Sequence, residues 1–163
     1  MQRSPRKAIL LGGLITGALD ISSAFFFAWS LRKIPPGRIL QGIAEAVLGP
    51  ASYRGGAASA AVGLLLHFSI AFFWTAMFYL LSRRFPALVK WPVPAGLLYG
   101  AVVWIVMYRV VIPLVPILNS LYLTEFDRSI PRLTLRQLFI HLACVGLPIA
   151  LSVWRFAPAP PEN

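Results

Sequence analysis

Four long apolar runs, at about 8–31, 57–81, 93–118 and 134–156, alternate with short polar or proline-rich stretches. At about 1.5 Å of rise per residue, each is long enough to cross a hydrocarbon core of about 30 Å. The pattern predicts an all-α membrane protein: four transmembrane helices in a bundle, forming a single domain over 1–156. Arg3, Arg6 and Lys7 precede the first run, as in a signal peptide. That run is longer than the roughly 7–15 residues of a signal core, and no small-x-small cleavage site follows it, so it reads as a span. Pro94 suits the first turn of the third span, and Pro113 and Pro116 loosen its last turns. Thr134 and Gln137 fit a capping box at the start of the fourth span, where Pro148 predicts a kink. The tail 157–163 is rich in proline and is expected to be disordered.

The segment 38–48 has a different period. Arg38, Gln41, Gly42 and Glu45 share one arc of a helical wheel, and Ile39, Leu40, Ile43, Ala44 and Val47 fill the other. Pro35, Pro36 and Gly37 precede it, and Gly49 and Pro50 stop it. This predicts a short amphipathic helix, either lying at the membrane interface or capping the bundle.

Composition agrees with the pattern. Hydrophobic residues make up 58% of the chain and charged ones 12%, with a mean hydropathy of +0.75. Soluble domains carry about 25% charged residues, so there is no room here for a separate soluble domain. The net charge of +10 does not point to nucleic acid. All the Lys and Arg except Arg109 lie outside the apolar runs or at their ends, where cations meet water and lipid headgroups. The lipid bilayer is therefore the expected partner. The cations divide evenly between the two sides of the membrane, but one side, with the N-terminus, the 82–92 loop and the tail, has the shorter segments. That density predicts cytoplasmic termini. Cys144 is the one cysteine, which excludes an internal disulfide and a cysteine-based metal site.

A weak internal repeat runs through the chain. Gly13-Leu-Ile-Thr-Gly17-Ala18 resembles Gly96-Leu-Leu-Tyr-Gly100-Ala101, and Leu65-Leu-His67-Phe68 resembles Phe139-Ile-His141-Leu142. Small residues let helix backbones approach closely in lipid, so Gly13, Gly17, Gly96 and Gly100 predict packing faces, within one chain or between chains.

Asp20, His67, Arg109 and His141 are the ionisable residues inside the spans, where such groups are costly and turn toward the bundle interior or a wet cavity. Residue counting puts Asp20 and His67 near mid-membrane, and His141 roughly 10 Å from the far surface. At about 100° per residue, Asp20 falls with Gly13, Gly17 and Ala24, and His67 falls with Ala60, Gly63 and Ala71. His141 falls with Gln137, Cys144, Pro148 and Ser152, whereas Arg109 lies opposite Gly96 and Gly100 and is free to snorkel toward headgroups. An Asp20–His67 contact across the first hairpin is the expectation, either as a proton- or ion-responsive site or as a hydrogen bond that fixes register. No cofactor is expected. The two histidines differ in depth, which argues against haem, and His141 with Cys144 supplies only two ligands toward zinc. Glu125, Asp127 and Arg128 share a loop and read as solvated.

Arg38-Ile-Leu-Gln41, Gly55-Gly56, Gly63-Leu-Leu-Leu-His67-Phe68, Ser82-Arg83-Arg84, Gly96-Leu-Leu-Tyr99-Gly100 and Val110-Val-Ile-Pro113-Leu114 cover about half of the chain. Together they resemble the YagU-like family of small bacterial inner-membrane proteins. The resemblance implies four spans in a bacterial inner membrane and no reaction. The family pattern has Met-Asn where this chain has Met107-Tyr108, so no polar role carries over to that position.

Two functions fit these residues. The first is a non-enzymatic structural or accessory protein, a homo-oligomer or a complex subunit, packing through its glycine faces. The second is a small proton- or ion-linked transport protein working through Asp20, His67 and His141. A lipid-modifying enzyme lacks a nucleophile or metal set and is not expected.

Overall fold

The structure is a computed structural model that describes residues 4–114 and 134–158. The described residues contain no strand, and four of their helices are long and apolar enough to cross a membrane. α1 spans Pro5–Arg32, α2 Pro36–Leu48, α3 Gly56–Arg84, α4 Ala87–Lys90, α5 Pro92–Leu114 and α6 Leu135–Phe156. The part of the third run beyond 114, the loop holding Glu125, Asp127 and Arg128, and most of the tail lie outside the described residues.

Local chemistry sets the helix ends. Ser4 caps α1 through its hydroxyl on the Lys7 amide, and Pro5 occupies the first turn, where a missing N–H costs nothing. Lys33 closes α1 in a left-handed conformation, with its amide on the Ala28 and Trp29 carbonyls. The capping box at α6 is formed in both directions: the Gln137 amide donates to Thr134 Oγ1, and the Thr134 amide donates to the Gln137 side chain.

Both spans with internal prolines widen into a π turn, at Met107–Val111 in α5 and at His141–Gly146 in α6. A helical proline ring crowds the carbonyl four residues earlier and leaves it without a donor. For Pro113 and Pro148 those carbonyls belong to Arg109 and Cys144, and each falls inside a π turn. At Pro148 the expected distortion thus takes the form of a widened turn.

α1 runs antiparallel to α3 and α6, and α5 packs along α6. α3 and α5 meet through aromatic rings: Tyr99 packs edge-on against Phe78 and Trp74 and donates to the Trp74 carbonyl at 2.7 Å. The glycine faces close these contacts within the chain. A Cβ on Gly17 would meet the Phe68 ring at 2.6 Å, and one on Gly13 would meet Phe72. One on Gly96 would meet Leu147 Cα at 3.1 Å, and one on Gly100 the His141 backbone. The matching motifs of the weak repeat therefore occupy matching contacts, α1 against α3 and α5 against α6.

The dense part of the core lies at the end that carries the termini. Ala8, Phe78, Tyr99, Ile149, Val153 and Ala157 are buried together there. The Ser4 amide donates to the Phe156 carbonyl, and Arg83 donates to the Pro158 carbonyl. These bonds bring the N-terminal residues, the α3–α5 connection and the end of α6 to one side. Ala157 and Pro158 were expected to begin a disordered tail, but they are packed, because Ala157 completes that core and Pro158 receives Arg83.

At the opposite end α2 packs on α3. Gly63 makes room for it: a Cβ there would lie 2.7 Å from the Leu40 carbonyl carbon. Ala44 is fully buried, Ile39 and Ile43 turn into the bundle, and Val47 stays 60% exposed. Gly49, at φ 60°, turns the chain back toward α3, and Tyr53 fastens the turn. Its hydroxyl donates to Glu45 at 2.9 Å while Arg38 stacks on its ring. Burial, reinforced by the Glu45 carboxylate, pushes the Tyr53 phenol above its usual range and keeps it a donor.

Candidate functional site

Where α2 replaces tight helix packing, the bundle opens into a cavity of two adjoining lobes, about 390 and 420 Å³. Asp20 from α1, His67 from α3 and His141 from α6 line both lobes. One cavity brings together these three, which the angular reading of the spans turns toward the interior. Arg109 does not join them. It is exposed and lines neither lobe, as its position opposite the glycine stripe of α5 requires.

The direct Asp20–His67 pair is not formed. His67 Nε2 lies 2.9 Å from the Gly17 carbonyl. The helix register explains this. Gly13 sits against Phe72 and Gly17 against Phe68, so His67 comes level with Gly17, about a turn of α1 away from Asp20. Among the described residues Asp20 makes no hydrogen bond or ion pair. His141 Nδ1 is 2.8 Å from the Gln137 carbonyl, and its ring lies edge-on to Tyr108 at 5.7 Å. Cys144 contacts the Ser23 hydroxyl at 3.5 Å.

The lobes differ in their polar groups. Thr16 and Glu45 belong to the first, and Arg32, Tyr108, Arg136 and Gln137 to the second. Thr16 is 2% exposed, and its hydroxyl has no partner among the described residues. Thr75, Ser23 and Ser69 return their hydroxyls to the carbonyl four residues back, as is usual in apolar helices, and Thr16 does not. Among the described residues no group of three His, Cys, Asp or Glu is placed to hold a metal ion.

Gln137 shares the inward stripe of His141, whereas Tyr108 and the two π turns carry no residue-type signal for this site. Met107 and Val111 of one π turn and His141 and Val145 of the other line the first lobe. Such turns recur at functional sites. Their sequence signal was a proline five residues past Tyr108 and another seven past His141.

The histidine bond has a measurable weight. Hydrogen bonds between transmembrane helices contribute about 0.6 kcal/mol on average and up to about 1.7. His67→Leu is expected to lose stability in that range, and Arg109→Leu to stay within about 0.5 kcal/mol of the parent, as exposed substitutions do. Thermal unfolding of both variants in one detergent checks this. Equal losses would mean that Arg109 has a structural partner.

No family model matches the chain, and no curated protein or solved structure matches it.

Proposed function

We propose that this multi-pass membrane protein is a small proton- or ion-linked transport protein, and that Asp20, His67 and His141 are its working groups. One observation carries the reading: Asp20, which residue counting puts near mid-membrane, lines a cavity with no hydrogen bond or ion pair among the described residues. An ionisable side chain is costly at that depth and marks an ion or proton path more readily than a packing contact. His67 and His141 add two imidazoles to the wall of the same cavity. Gly13, Gly17, Gly96 and Gly100 pack inside the chain, which leaves them unavailable to a partner chain.

Proteoliposomes containing a pH-sensitive dye test the proposal. With a potassium diffusion potential imposed by valinomycin, the protein is expected to admit protons faster than protein-free liposomes. A rate equal to that of empty liposomes would refute the proton-linked reading.

The proposed location is a bacterial inner membrane with both termini in the cytoplasm. The resemblance to YagU-like proteins supports the first part. The denser cations of the terminal side support the second. A reporter active only in the cytoplasm, fused after Asn163, is expected to be active. A silent fusion, with a periplasmic reporter active at the same point, would reverse the orientation.

A further inference from the structure

The two lobes differ in the sign of their charge. Apart from the imidazoles, the ionisable groups among the described residues in the wall of the 390 Å³ lobe are Asp20, which also borders the second lobe, and Glu45, both carboxylates. Arg32 and Arg136 belong to the other lobe. Glu45 is held by the Tyr53 hydroxyl, whereas Asp20 is bare of hydrogen bonds and ion pairs among the described residues. One turn away on the same face of α1, Thr16 lines the lobe with a buried hydroxyl that has no partner among the described residues. The wall otherwise is aliphatic, with the Trp74 indole part of it.

These features select among ligands. A divalent metal ion needs several oxygen or nitrogen ligands in one shell, and no such group is formed among the described residues. An anion would face two carboxylates. A neutral apolar molecule would cover the half-buried Asp20 carboxylate without pairing with it, which is unfavourable. An organic cation with an apolar body answers each part. Its charge pairs with Asp20, an aromatic face favours it further, and its body covers the aliphatic wall. The volume falls within the roughly 300–1,000 Å³ of small-molecule sites.

We propose that the Asp20 lobe binds a lipophilic monovalent organic cation, an ammonium or phosphonium carrying an apolar body. This deepens the transport reading and rests on the same cavity. Arg32 and Arg136 border the adjoining lobe and repel such a cation, so it is held on the α2–α3 side of Asp20.

The test compares two probes of the same shape and opposite charge. Full-length protein in lipid nanodiscs is equilibrated with tetraphenylphosphonium or tetraphenylborate, with empty nanodiscs as background. The phosphonium is expected to bind saturably and the borate only at background. Asp20→Asn is expected to weaken phosphonium binding by at least about tenfold, and Asp20→Glu to retain most of it. Arg136→Gln leaves phosphonium binding equal or tighter. Saturable borate binding with phosphonium at background overturns the proposal whether or not any variant folds, and so does unchanged phosphonium affinity in Asp20→Asn. Phosphonium binding without proton flux would refute the transport reading alone. Proton flux without phosphonium binding would refute the cation class alone.

Discussion

Gly146→Val is expected to be the most destabilising single substitution in the bundle. α5 and α6 meet backbone to backbone, and a Cβ on Gly146 would lie 2.7 Å from Gly100 Cα and press on the Gly96 carbonyl. A side chain that is overpacked can rotate away, but these neighbours are main chain and the helices must separate. Ordinary overpacking costs about 1–3 kcal/mol, and this contact belongs at or above the top of that range. Separation would also undo the π turn that carries His141 to the cavity. Gly37→Ala is the matched control, because nothing lies within 4 Å of a Cβ there. Thermal unfolding in one detergent should show a large loss for Gly146→Val and little change or a small gain for Gly37→Ala. Similar values for the two would mean that α5 and α6 are not in backbone contact.

Asp20→Asn is expected to lower activity without lowering stability. A carboxylate at a helix centre costs about 2.5–3.5 kcal/mol on insertion scales, and among the described residues Asp20 has no partner to offset it. Asparagine keeps the shape and removes the charge, so the unfolding temperature should stay level or rise. Proton movement should fall by at least about tenfold, the factor that a loss of roughly 1.4 kcal/mol produces. A purely structural Asp20 would give the reverse: lower stability and unchanged flux. The two measurements on one preparation separate these roles.

Much of this architecture was legible in the sequence, because bilayer thickness and helical periodicity leave few alternatives for long apolar runs. The helix at 36–48 and the Thr134–Gln137 box followed from wheel and cap chemistry. The same arithmetic separated Asp20, His67 and His141 from Arg109. It failed on the Asp20–His67 pair because depth counted from span ends does not fix register. Phe68 and Phe72 seated on Gly17 and Gly13 fix it, and they bring His67 level with Gly17. Gly63 lay on the small-residue stripe of His67, but neither it nor Gly146 stands in a Gly-x-x-x-Gly pattern, and nothing in the sequence names α2 and α5 as the elements they touch. The cavity itself is a tertiary feature, left where α2 stands against α3 and α5 widens at Met107–Val111.

Whether water reaches Asp20 decides the central claim. In a Cys144→Ser background, Asp20→Cys and the lipid-facing Leu10→Cys are each exposed, in membranes, to a small positively charged methanethiosulfonate. Leu10 is exposed on the outside of α1, and Asp20 lines the cavity two to three turns further along. A reagent of this kind modifies thiolates in water and is excluded from hydrocarbon. A wet cavity predicts rapid modification of Asp20→Cys and protection of Leu10→Cys. Protection of both to the same degree would mean a dry interior, and the transport reading would fall.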